Sequence, residues 1–279
     1  MSLAPTEPAA TTTRRATPRH YLMCEPVHYT VSYEINPWMD VTRHTDRDLA
    51  VAQWHVLRET FLALGHTVET IDPIVGLPDM VYAANGATVV DGVVYSAKFR
   101  YAQRGPEGPA YQKWFADRGY LTHTAAVTNE GEGDLLTIGD VILAGTGFRT
   151  DRAAHAEAQE LFGRPVISLD LVDPNFYHLD TALAVLDDTN IAYLPSAFDE
   201  ESLAILRERY PDAIIVTEED AAILGLNSYS DGYNVVIAAR AKDFERQLRE
   251  RGYNPIGVDL SELLLGGGGV KCCTLELRR

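Results

Sequence analysis

The chain has 279 residues, 46% of them hydrophobic, which is enough to bury a full core. Its 40 acidic and 24 basic residues leave a formal charge of -16, which repels phosphate backbones and anionic lipid. Nucleic acid and membrane surfaces are therefore not expected as partners, and a small cationic ligand suits the charge better. Three cysteines, two of them adjacent, make neither a disulfide framework nor a zinc-type spacing, so no metal is expected and a reducing, cytoplasmic setting fits.

Taken in order, residues 1–20 are rich in Thr, Ala, Pro and Arg and lack the apolar stretch of a signal peptide, so they read as a disordered tail ahead of a single domain over 21–279. A strand is predicted within 21–33, followed by a loop through Ile35-Asn36-Pro37-Trp38-Met39, where Pro37 blocks a helix. Leu49, Ala52, Val56, Leu57, Phe61 and Leu62 fall at helical spacing over 46–64, with Gly65 as the stop. A short strand over 67–71 and a turn containing Pro73, Gly76 and Pro78 come next.

From there the chain repeats. Residues 87–90 and 93–97, joined by Asp91-Gly92, predict a hairpin, and a helix over 109–118 and a strand over 121–125 follow. The second unit has strands at 135–138 and 141–144, a helix at 152–162 and a strand at 165–169. The third has strands at 182–186 and 191–194, a helix at 199–209 and a strand at 213–216. In the fourth, Asp231-Gly232-Tyr233 leads into 234–238, a helix at 242–251 and a strand at 254–258. Each unit is strand, strand, helix, strand, and the hairpins start roughly 45 to 49 residues apart, a repeat-architecture period.

A polar residue stands at the head of each first hairpin strand: Asn85, Glu130 or Glu132, His178, Asn227 and Cys272. If the units surround an axis, these heads meet in one pocket. A turn role would account for Asn227 and serves for Asn85, but it explains a His and a Cys in the same place poorly. Cys272 follows four glycines, 266–269, which suit a backbone that must approach another group closely. The segment after them is predicted as a strand that turns Val270, Cys272, Thr274 and Glu276 to one face and Lys271 and Cys273 to the other. A buried pair of structural thiols is the alternative to a nucleophile here.

At these residues the sequence resembles the guanidino-modifying enzymes of the pentein superfamily: dimethylargininases, arginine deiminases, arginine dihydrolases and amidinotransferases. The resemblance rests on Leu77-Pro78-Asp79-Met80-Val81-Tyr82, Glu130-Gly131-Glu132-Gly133-Asp134, Phe148-Arg149-Thr150-Asp151, Tyr177-His178-Leu179-Asp180 and Gly268-Gly269-Val270-Lys271-Cys272, in order and at the right spacing. It implies a five-bladed α/β propeller of ββαβ units. It also implies that Cys272 is the nucleophile, His178 the general acid and base, and Glu130 the catalytic acid, with Glu132 the less fitting choice. By the same resemblance Asp79 binds substrate, and Arg149 and Arg104 clamp its carboxylate; a solvated loop charge is the other reading of Arg104. Asn36, Asp180 and Asn227 are further substrate-binding candidates.

One departure bears on specificity. Dimethylargininases follow the Pro-Asp motif with an acidic pair, and this chain has Ala84-Asn85 there, which looks like the arginine dihydrolases. The expected reaction is cysteine-dependent hydrolysis of a guanidine C–N bond through a covalent thiouronium, without a cofactor. Its expected end point is ornithine, ammonia and carbon dioxide, on the reasoning that the Asn85 amide can turn to serve a guanidinium first and a ureido group second. Citrulline release by a dimethylargininase or deiminase is the alternative, and a non-catalytic amino-acid-binding propeller the further one; a homo-oligomer is compatible with either.

Overall fold

The computed structural model describes residues 14–279. In chain order it begins with strand β1 (His20–Cys24), helix α1 (Arg47–Ala63) and strand β2 (Thr67–Ile71). The next unit is β3 (Ala87–Val90), β4 (Val93–Ser96), α2 (Glu107–Asp117) and β5 (Leu121–Thr124). It is followed by β6 (Leu135–Ile138), β7 (Val141–Thr146), α3 (Ala153–Phe162) and β8 (Val166–Asp170). The third repeat holds a short helix α4 (Leu179–Ala182), β9 (Leu183–Val185), β10 (Ile191–Tyr193), α5 (Glu200–Arg209) and β11 (Ile214–Ile215). The chain ends with α6 (Glu218–Ala221), β12 (Tyr229–Ser230), β13 (Asn234–Ala238), α7 (Lys242–Glu250), β14 (Asn254–Val258), α8 (Ser261–Leu264) and β15 (Leu275–Glu276).

These strands form five separate three-stranded sheets. In the four internal ones the first strand pairs antiparallel with the second and the second parallel with the third, as β3, β4 and β5 do. A hairpin suffices for the first pairing, whereas the parallel return needs a crossover, which the helix supplies. The β3–β4 turn places Asp91 and Gly92 at φ 51° and 77°, the twist that matches flanking strands. The fifth sheet joins the two ends of the chain, with β1 antiparallel to β15 and parallel to β2. The repeating ββαβ units are therefore the five blades of an α/β propeller, as expected.

Several expectations need correction. The strand within 21–33 stops at Cys24, because Pro26 has no N–H to extend the ladder, and turns follow from Val27 N to Glu25 O and Tyr29 N to Pro26 O. Helix α1 buries Leu57 and Phe61 of the predicted stripe together with Ala50, Gln53 and Trp54, and leaves Leu49, Ala52 and Val56 exposed. Ala50, Trp54, Leu57 and Phe61 are spaced by four, three and four residues and so share one face of the helix. Of the tail, residues 1–13 lie outside the described residues, while 14–20 pack on the body: Thr17 N donates to Asp231 O at 2.9 Å and Arg14 stacks over Tyr253 at 3.6 Å.

The segment 270–274 is not strand. Cys273 N donates to Gly269 O at 3.2 Å and Thr274 N to Lys271 O at 2.9 Å, so the chain turns through the two thiols and becomes extended only at Leu275. The alternation argument for Cys272 and Cys273 therefore fails. Successive residues in a helical turn point about 100° apart, which still separates their side chains. No helix among the described residues is long and apolar enough to cross a membrane.

Candidate active site

Each of the five blades delivers a polar or thiol residue from the segment ahead of its first strand to the same end of the molecule. Asn85 precedes β3, Glu130 precedes β6, His178 caps α4 just before β9, Asn227 precedes β12 and Cys272 precedes β15. Contacts link them into a closed circuit. Asn85 Nδ2 donates to Glu130 O at 3.3 Å, and Glu130 Oε2 meets His178 Nε2 at 2.8 Å. Asn227 Nδ2 donates to Asp180 O and to Cys272 Sγ, both at 3.1 Å, and Ala84 N closes the circuit onto Cys272 O at 3.0 Å.

The glycines permit this density. A Cβ on Gly133 would come within 2.4 Å of Asn85 Nδ2, and one on Gly268 within 2.3 Å of the Tyr82 ring. The turn before Cys272 is close-packed, as its composition suggested. It is pinned by Asn227, whose Oδ1 accepts from Gly269 N and Cys272 N, each at 3.0 Å.

Cys272 is buried, accepts from Asn227 Nδ2, and donates its S–H to Asp180 Oδ2 at 3.3 Å. Burial, and after it the Asp180 carboxylate, push the thiol well above its ordinary range. Burial likewise pushes Asp180 up to about 6, against the pull of His178 and Lys271. The resting group is thus a thiol beside a carboxylate. Cys273 lies in the apolar cluster with Tyr82 and Val270, and burial pushes its thiol up as well.

Glu130 is the opposite case. Burial opposes its charge, but Arg149 Nη1 at 2.8 Å and His178 Nε2 at 2.8 Å overcome that and hold it well below the usual carboxylate range. Its other oxygen accepts from Arg100 N at 3.1 Å. Arg149 is itself locked, donating to Ile35 O at 2.8 Å between the Tyr101 and Tyr177 rings. Glu132 is elsewhere: it binds Lys271 Nζ at 2.8 Å, Arg278 and Glu276 N, away from His178. Of the two acids left open by the sequence, only Glu130 meets the histidine.

Arg104 is not a solvated loop charge. All three guanidinium nitrogens are engaged, with Glu107 (3.0 and 2.8 Å), Asn85 Oδ1 (2.8 Å) and Asp79 O (3.2 Å). The Asn85 amide consequently has one orientation, and turning it would leave a buried guanidinium facing an N–H. The expectation that it turns between two substrates is not compatible with this contact. Glu107, pushed up to about 7 by burial against the pull of Arg104, was not anticipated; only its place three residues after Arg104 could have signalled it. Tyr33, which donates to Asp79 Oδ2 at 2.9 Å, and Asp134, which accepts from Leu179 N at 3.0 Å, were also unforeseen as parts of the site.

Asn36 supports the site without lying in the circuit. Its Oδ1 accepts from Trp38 N and Met39 N, and its Nδ2 reaches Tyr177 Oη and Gly266 O. Three of the buried polar atoms that have no partner among the described residues belong to candidate site residues: Asp79 Oδ1, Asp180 Oδ1 and His178 Nδ1. Buried polar groups are normally satisfied, so these three leave acceptor capacity for a molecule carrying several N–H donors. No group of three or more His, Cys, Asp or Glu side chains among the described residues is placed to hold a metal ion.

No family model matches the chain. It is 54% identical over 265 residues to N(G),N(G)-dimethylarginine dimethylaminohydrolase of Mycobacterium tuberculosis, covering 94% of this chain and 88% of that one. It is 34% identical over 263 residues to the bifunctional arginine dihydrolase/ornithine cyclodeaminase ArgZ of Synechocystis sp., covering 92% of this chain and 37% of that one. Two solved structures of the N-terminal domain of ArgZ are similar to it, each with a TM-score of 0.89 at 32% identity, covering 94% of this chain and 98% of the other. One is a Cys-to-Ser variant bound to substrate, the other an Asn-to-Ser variant bound covalently to a reaction intermediate.

Proposed function

From the premise that this chain belongs to the pentein superfamily and hydrolyses C–N bonds of arginine-type guanidino groups, we propose that it is an arginine dihydrolase. Arginine is taken through bound citrulline to ornithine, two ammonia and carbon dioxide. The observation that carries this reading is the neutral Asn85, whose Oδ1 is held by Arg104 and whose Nδ2 gives one N–H to Glu130 O, so that its second N–H is the group left for a ligand.

In the first round the substrate guanidinium lies against Asp79 and Asp180, whose free oxygens suit its N–H donors. Its positive charge opposes the effect of Asp180 on Cys272 and favours the thiolate, which attacks the guanidine carbon. His178, oriented by Glu130, gives a proton to the departing ammonia and then takes one from the water that hydrolyses the thiouronium. The product is citrulline. Its ureido oxygen is an acceptor, and an amide N–H from Asn85 suits it where a carboxylate would repel it. A second attack expels ammonia, and water releases ornithine as its carbamate, which loses carbon dioxide. The ArgZ variants bear on this outline, since a Cys-to-Ser form holds substrate and an Asn-to-Ser form holds a covalent intermediate.

A second reading, release of citrulline from dimethylarginine, is favoured by the 54% identity to the mycobacterial relative. Incubation with arginine, citrulline and dimethylarginine, followed by mass spectrometry of the products, separates the two. Ornithine from both arginine and citrulline supports the dihydrolase. Citrulline from dimethylarginine, with no ornithine from supplied citrulline, replaces it with the dimethylargininase.

A further inference from the structure

Residues of β6, β9, β12 and β15, with Ser228 and Lys271 ahead of the last two, line a cavity of about 190 Å³ whose wall includes Arg19, Thr137, Arg164, Ser228, Lys271 and Arg278. The gathering of four cations is unusual in a chain of charge -16. Three of them share two buried carboxylates: Lys271 Nζ lies 2.8 Å from Glu132, Arg278 contacts Glu132 and lies 2.6 Å from Glu276, and Arg19 Nη1 lies 3.3 Å from Glu276. Asp187 and Asp188 line the cavity as well, and the other acids nearby have partners of their own. Asp187 pairs with Arg14 and Tyr253, Asp231 with His66 and its own turn, and Asp91 with Arg164.

Within this wall Arg19 Nε, Thr137 Oγ1 and Ser228 Oγ are buried without a partner among the described residues, and Ser228 is 5% exposed. An unused guanidinium N–H and two hydroxyls among charge-paired side chains call for a hydrogen-bond acceptor, and a charged one is held best by the guanidinium. We propose that this cavity is a second binding site, separate from the thiol site, for a small anion bearing a carboxylate or phosphate group. The site adjoins the catalytic circuit through the chain itself. Ser228 follows Asn227, which holds the Cys272 sulfur, and Lys271 precedes Cys272.

The test is calorimetric titration of the full chain carrying Cys272→Ser with inorganic phosphate and, separately, succinate, each with and without saturating arginine. Saturable binding of one anion per chain, unaffected by arginine, is expected, and the tighter of the two anions identifies the preferred group. Arg19→Gln and Ser228→Ala should each weaken it about tenfold, the loss of one charge-assisted or buried hydrogen bond, whereas Arg246→Gln on the exposed face of α7 should not. Ser228→Ala removes a single oxygen and keeps the test valid if Arg19→Gln fails to fold. No saturable binding of either anion, competition by arginine, or unchanged affinity in Ser228→Ala would overturn the proposal.

Discussion

Arg104 Nη1 donates to Asn85 Oδ1 at 2.8 Å, and Glu107 grips the same guanidinium from behind with two further bonds. The amide is therefore held in one orientation, with Nδ2 giving one N–H to Glu130 O and keeping the other. Asn85→Asp reverses this by presenting a carboxylate, which pairs with a guanidinium and repels a ureido oxygen. Leaving a buried polar group unpaired costs about 1 to 3 kcal/mol, which shifts the partition between citrulline release and second attack by roughly 5- to 150-fold. Product ratios from arginine should move to citrulline in the variant; an unchanged ornithine yield would dissociate Asn85 from the second round.

Cys272→Ser should abolish turnover and Cys273→Ser should keep most of it. Both thiols border the same apolar cluster, but the Cys272 sulfur is hydrogen-bonded by Asn227 and Asp180, and the Cys273 sulfur has no such bond among the described residues. Steady-state rates of both variants, with circular dichroism to confirm folding, decide the matter, and equal loss in the two would mean that Cys273 also takes part.

His178→Asn should lower the rate by about 100-fold or more while substrate affinity changes little, the scale of losing a general acid or base. The ring is fixed by Glu130 at 2.8 Å, and its Nδ1 has no partner among the described residues. Binding of arginine to the variant by calorimetry, set beside its turnover, distinguishes this from a packing role, which would lower the melting temperature instead.

Burial, and after it Asp180, raise the Cys272 pKa, so the free enzyme should be alkylated slowly at pH 7 and its labelling rate should keep rising beyond about pH 8.5, where an ordinary thiol is half ionised. Asp180→Asn should speed labelling at pH 7 while reducing turnover. The same carboxyl has a stability signature. Its folded pKa of about 6 is above the unfolded value, so the folded state binds more protons between roughly pH 4 and 6 and loses stability as pH rises through that window. Denaturant melts at pH 4.5 and 7 should show this slope reduced in Asp180→Asn; a slope the same as wild type would place its titration elsewhere.

Much was determined by sequence alone, for local reasons. The period of strand, strand, helix, strand follows from alternation, helical spacing and turns such as Asp91-Gly92, which act over a few residues. The shared position of Asn85, Glu130, His178, Asn227 and Cys272 at strand heads follows from counting along the same repeat. What the tertiary structure alone decided lies between blades. Glu130 and Glu132 differ by two residues, yet one faces His178 and the other Lys271, because a turn of 3-10 helix, Gly131–Gly133, sends their side chains to different places. The fixed amide of Asn85 depends on Arg104 and Glu107, 19 and 22 positions away, a contact no local pattern records. The turn through Cys272 and Cys273 replaced the predicted strand because Asn227, on another blade, captures the backbone N–H groups of Gly269 and Cys272.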